Sequence, residues 1–73
     1  MRNTIRFERG RRGFSQEELA QKVGVSRQTI HAIEIGKFIP STVLAFKLAA
    51  VLEQNVSEIF ILEDNDWNPT SQN

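Results

Sequence analysis

Apolar residues recur along this chain at helical spacing, three or four positions apart, and a serine stands ahead of most of the periodic stretches. Leu19, Ala20 and Val23 fall on one face of a helix that opens behind Ser15. Ser15 is a good N-cap, because its oxygen can accept an otherwise orphaned amide hydrogen of the first turn. Glu18, three residues on, completes a capping box. Gly24 tolerates the left-handed conformation that stops a helix. After a two-residue turn a second capped helix starts at Arg27 behind Ser26, buries Ile30 and Ile33, and ends at Gly36. Residues 3–12 predict an earlier helix with Ile5 and Arg9 one turn apart, Phe7 approaching the core and Gly13 at its end. Phe14 then packs as the apolar residue just before the Ser15 cap.

Pro40 and Ser41 open a fourth helix over residues 42–54, whose Leu44, Ala45, Leu48, Ala49 and Leu52 form one stripe toward the core. Val43, Phe46 and Ala50 form a second apolar stripe on the far side. A monomer's surface helix has no use for two such faces, so the pattern points to a subunit interface, with core beneath the N-terminal segment as the alternative. A short fifth helix follows with Ser57 as its cap and Ile59 and Phe60 buried. Ile61 and Leu62 prolong the apolar run far enough to add a short strand. Residues 63–73 are polar and aperiodic, which predicts a disordered tail behind a domain spanning 1–62. Trp67 is the exception there, either packed against a dimer or partner surface or standing free.

Two short helices around a tight turn, the second carrying polar groups outward, make a helix-turn-helix. At 100° per residue, Ile30 and Ile33 define the core side of the second. Gln28, His31, Ala32 and Ile35 point away from it, and Arg27 and Thr29 lie on the flanks. Glu34 sits at the core edge, where a carboxylate needs a partner; Arg9 of the first helix is the candidate.

A length of 73 residues fits one small domain, and its limited burial favours association with another copy. Without cysteines the chain has neither disulfides nor thiolate metal sites, which suits a reducing cytoplasm. No apolar run approaches the ~20 residues that span a bilayer, and no apolar signal region follows Arg2. The expected location is therefore cytoplasmic, with no membrane partner. Zero net charge conceals a polarised distribution. Residues 1–37 hold eight basic against four acidic side chains, net +4, and the remainder is −4. The basic half carries the helix-turn-helix, as nucleic-acid binding requires. One histidine, no cysteine and no glycine-rich phosphate loop leave nothing for a nucleophile–base unit, a metal cluster or a nucleotide cradle. Neither enzyme activity, metal nor cofactor is expected.

The string SQEELAQKVGVSRQTIHAIEIGKFIPS, residues 15–41, resembles the DNA-binding domain of Xre/Cro/C1-type phage repressors, closest to the small stand-alone bacterial regulators of that family. The resemblance covers about residues 3–62. It implies an all-α, five-helix phage-repressor-like domain, with a short terminal β-strand pairing in some members. It also implies a homodimeric repressor of transcription, bound to double-stranded DNA through the major groove of an inverted-repeat operator. Arg27 and Gln28 fall on the first positions of the family's base-reading face, which also holds His31 and Ala32. Arginine forks onto guanine O6 and N7, and glutamine onto adenine N7 and N6. Ala32 can at most meet a thymine methyl. His31 is open between solvation and a place against the sugar-phosphate backbone. Gln16, Ser26, Thr29 and Lys37 match phosphate-holding positions, and Phe38 and Ile39 are expected to fix the loop after Lys37 against the core. Relatives pair the arginine matching Arg9 with the glutamate matching Glu34, in agreement with the face argument. Small members dimerise through their C-terminal region, which adds Ile61 and Leu62 to Val43, Phe46 and Ala50 as interface candidates. The rival implication is an antitoxin or adaptor that uses this fold to bind a protein partner.

Overall fold

A computed structural model describes residues 1–68. In chain order they form β1 (Arg2–Asn3), α1 (Ile5–Arg11), α2 (Gln16–Val23), α3 (Arg27–Glu34), α4 (Thr42–Leu52), α5 (Val56–Ile59), β2 (Phe60–Ile61) and a helical turn, α6 (Asp64–Trp67). The five expected helices are present, with the short terminal strand pairing: β1 and β2 run antiparallel, Arg2 opposite Ile61 and Asn3 opposite Phe60.

Local chemistry sets most boundaries. The Ser15 hydroxyl accepts from the Glu18 amide at 3.0 Å while the Glu18 carboxylate accepts from the Ser15 amide at 2.8 Å, closing the expected capping box of α2. Gly24 ends that helix with φ +81°, its amide donating to the Ala20 carbonyl at 2.8 Å. Ser26 and Ser41 cap α3 and α4 by accepting from Thr29 and Leu44 amides at 3.2 and 3.1 Å. Glu53 closes α4 in the left-handed region at φ +55°, where a glycine would be unstrained.

One core joins every long helix: Ile5, Leu19, Ala20, Val23, Ile30, Ile33, Leu44, Leu48, Ala49, Leu52, Ile59 and Phe60 are buried together. Asn3 ties the N-terminal strand into this assembly. Its side-chain amide donates to the Ile33 carbonyl at 2.8 Å, and its oxygen accepts from the Ile5 amide at 3.2 Å.

Three expectations change. Phe7 does not reach the core; it is 65% exposed, with the Arg11 guanidinium over its ring at 5.8 Å. The helix turns Ile5 and Glu8 inward, and Phe7, two residues past Ile5, is carried to the opposite side. Glu8 is tolerated at low exposure because Arg12 meets its carboxylate at 2.7 Å and Arg11 at 3.3 Å. The cap of α5 is Asn55 rather than Ser57, with the Glu58 carboxylate accepting from the Asn55 amide at 3.1 Å. Asn55 and Glu58 have the spacing of Ser15 and Glu18, so the helix starts earlier than Ser57 suggested. Within the segment expected to lack structure, Asp64–Trp67 form a helical turn; Asp66 accepts from the Glu63 amide at 2.7 Å. The Met1 amine lies 2.9 Å from Glu63 and 3.1 Å from Asp66. Both carboxylates raise its pKa, and the Glu63 amide and this ammonium lower that of Asp66. Trp67 is 74% exposed, and residues 69–73 lie outside the described part. No helix among the described residues is long and apolar enough to cross a membrane.

Candidate nucleic-acid interface

The turn between α2 and α3 puts the start of α3 on the surface. With Ile30 and Ile33 committed to the core, helical geometry sends Arg27, Gln28 and His31 outward, and all three are exposed around one shallow depression. Ala32, the fourth expected reader, is half-buried at the edge of that face. The cap of α3 is itself polar: the Ser26 and Thr29 hydroxyls lie 3.0 Å apart, either one donating. Lys37 is exposed just beyond the helix. Its backbone amide and that of Phe38 donate to the Ala32 carbonyl at 2.9 and 3.2 Å, and Gly36 makes the turn at φ +81°. These backbone bonds hold the loop. Phe38 and Ile39, expected to pin it from the core side, are exposed.

Behind this face the expected Arg9–Glu34 pair is formed. Arg9 Nε donates to Glu34 Oε2 at 2.8 Å and Nη2 to Oε1 at 3.3 Å, while Nη1 donates to the Phe14 carbonyl at 2.9 Å. The Glu34 side chain is 4% exposed, so the fork satisfies a carboxylate that water barely reaches. Glu34 also accepts from Gln16 Nε2 at 3.0 Å, and the same nitrogen stands 3.4 Å from His31 Nδ1. Arg9, Glu34, Gln16 and His31 thereby link α1, α2 and the reading face of α3. The sequence signalled only the first pair. Gln16, expected to serve a phosphate, donates its side-chain amide to Glu34 within the domain.

The candidate interface residues on α4, Val43, Phe46 and Ala50, are exposed as their stripe predicted. Leu62 is exposed and Ile61 half-buried. A separate depression on α1 is lined by Asn3, Thr4, Arg6, Phe7, Gly10 and Arg11 and shares no residue with the reading face. Among the described residues no group of three or more histidine or acidic side chains is placed to hold a metal ion.

A Helix-turn-helix family description matches residues 5–59. An uncharacterized HTH-type transcriptional regulator of Methanocaldococcus jannaschii is 48% identical over 66 residues, covering 90% of this chain and 100% of that protein. The uncharacterized HTH-type transcriptional regulator YgzD of Bacillus subtilis is 41% identical over 66 residues, covering 90% and 100%. Among solved structures, a SinR protein/SinI protein complex superposes with a TM-score of 0.72 at 29% identity, over 93% of this chain and 71% of that one. A hypothetical transcription factor, NHTF, from Neisseria superposes with a TM-score of 0.71 at 27% identity, over 90% and 75%. The Methanocaldococcus and Bacillus relatives and the Neisseria protein are named for regulating transcription and not for catalysis. The exposed polar start of α3, its capped turn and these likenesses agree: the chain belongs to the Xre/Cro/C1-type helix-turn-helix family of DNA-binding transcriptional regulators.

Proposed function

We propose that this protein is a dimeric repressor that reads an inverted-repeat operator through the major groove. The observation that carries the reading is the outward cluster of Arg27, Gln28 and His31 at the capped start of α3. Helix-turn-helix proteins dock with the first residues of their second helix against base edges. Arg27 reads a guanine and Gln28 an adenine, each through two hydrogen bonds. His31 and Ala32 complete the reading face, Ala32 by apolar contact alone. Ser26, Thr29 and Lys37 hold the sugar-phosphate backbone and so set register, and Gln16 contributes its backbone amide at the start of α2.

Two copies join through Val43, Phe46 and Ala50 with Ile61 and Leu62, presenting two α3 helices about one DNA turn (~34 Å) apart. The support is the exposed apolar stripe of α4, with Val43 at 66% and Phe46 at 61% exposure, whose burial a second copy would supply. Bound at a promoter in the cytoplasm, the dimer occludes RNA polymerase. The binding domain ends near Leu62, with an acidic segment beyond it.

Selection of random duplexes on purified protein near physiological salt tests this reading. It predicts an enriched inverted repeat with half-sites one turn apart. Binding that enriches nothing and vanishes as salt rises would leave only the electrostatic attraction to phosphates. A second reading is an antitoxin-like or adaptor role with a protein partner. It draws support from exposed Ile35, Phe38 and Ile39, in addition to Phe46, and from a structural relative solved with a second protein. Isolation of a defined hetero-complex from a protein that enriches no sequence would favour it.

A further inference from the structure

Three facts about the polar network bear on what His31 presents to DNA. Glu34 accepts from Arg9 through both carboxylate oxygens and turns only acceptors toward Gln16. Gln16 therefore has to turn its NH2 group, and not its carbonyl, toward Glu34 Oε1 at 3.0 Å; the reverse orientation would set two acceptors against each other. The same NH2 group faces His31 Nδ1 at 3.4 Å, with its second hydrogen available. A neutral imidazole carries one N–H and one acceptor nitrogen. An Nδ1 that accepts from Gln16 leaves the ring proton on Nε2. His31 is exposed beside Arg27 and Gln28, and among the described residues Nε2 makes no hydrogen bond.

We propose that Glu34, acting through the Gln16 amide, holds neutral His31 with its proton on Nε2, so that His31 meets DNA only as a hydrogen-bond donor. This deepens the DNA-reading proposal and rests on it. Glu34 and Gln16 are positioning residues, and His31 is the group that touches the ligand. The ligand chemistry is an acceptor atom of the duplex. In the major groove that means guanine N7 or O6, adenine N7 or thymine O4; on the backbone it means a phosphate oxygen. The cytosine amino group, a donor, is excluded opposite His31.

Two measurements test the proposal. In the first, long-range proton–nitrogen correlations of the His31 ring are recorded on free, 15N-labelled protein with the ring in its neutral form. The expected wild-type result is a protonated Nε2 and an unprotonated Nδ1 displaced by an accepted hydrogen bond. Gln16→Ala should move Nδ1 back toward the position of a solvated neutral ring. A protonated Nδ1 in the wild type, or ring signals unmoved by Gln16→Ala, overturns the positioning. In the second, random duplexes are selected on wild type, His31→Ala and His31→Gln, the last keeping an N–H donor. His31→Ala should weaken binding about three- to tenfold, as loss of one hydrogen bond implies, and His31→Gln should restore part of it. A loss confined to sequences with one particular base at a position identifies a base-edge acceptor; a loss uniform across sequences identifies a phosphate. His31→Ala binding like the wild type, or His31→Gln binding no better than His31→Ala, overturns the donor role. If wild type enriches no sequence while the ring signals are as expected, the DNA reading and the donor role with it fail, and the positioning of the ring stands.

Discussion

Arg9 and Glu34, one on α1 and one at the end of α3, meet across the domain through Nε–Oε2 at 2.8 Å and Nη2–Oε1 at 3.3 Å. The arrangement anchors the last turn of the reading helix to the first helix of the fold. Truncating either partner leaves the other charge poorly hydrated. Arg9→Ala or Glu34→Ala is expected to cost about 3 kcal/mol in urea unfolding, whereas replacing both by Arg9→Met with Glu34→Leu should cost less than either alone. A double variant as unstable as the sum of its parts would show that the pair contributes beyond mutual neutralisation.

On DNA, the proposed base reader and the proposed phosphate contact should separate. Arg27→Ala should lose about 1–3 kcal/mol on the selected site and relax base preference at one position. Lys37→Ala should weaken all sequences alike and reduce the salt slope by about one. Binding isotherms at several salt concentrations, paired with selection profiles, check both.

Phe46 is exposed on α4 and absent from the core, so its side chain can be changed without emptying a packed site. Phe46→Glu is expected to shift sedimentation from dimer to monomer while leaving the helical circular dichroism signal in place. A sedimentation profile identical to wild type would move the subunit interface away from α4.

The capping box makes an acid-sensitive contribution. Hydrogen bonds from the Ser15 amide and hydroxyl, chiefly the former, lower the Glu18 pKa. A depressed folded value stabilises the fold above the ordinary carboxyl pKa of 4.5, and the effect fades as pH falls through the folded value. Stability curves of wild type and Glu18→Gln should therefore differ at neutral pH and converge in acid. Ser15→Ala should cost about 1 kcal/mol near neutrality.

Glu53 occupies the left-handed region at φ +55° at the end of α4. Glu53→Gly is expected to raise stability by about 0.5–1 kcal/mol, because glycine adopts that conformation without strain. Thermal or urea unfolding gives the sign directly.

The sequence by itself determined what depends on near neighbours. Serine caps at 15, 26 and 41, the glycine stop at 24 and the spacing of Leu19, Ala20, Val23, Ile30 and Ile33 act within one or two helical turns, and all appear in the fold as read. Helical periodicity also put Glu34 at the core edge, where an unpaired charge is costly, and that requirement led to Arg9. The expectation for Phe7 went against that rule: an apolar residue does not itself choose which face of a helix is inward, and Ile5, about 200° away, holds the core side. Tertiary structure decided the contacts between groups far apart in the chain. Gln16 on Glu34, Gln16 beside His31, Asn3 on the Ile33 carbonyl and the Met1 amine against Glu63 and Asp66 arise only when packed elements bring those atoms together. Periodicity reports which side of a helix is buried; it carries no information on which polar atom of another helix lies within three ångströms. The direction of the Gln16 amide, and with it the ring proton of His31, belongs to that second class.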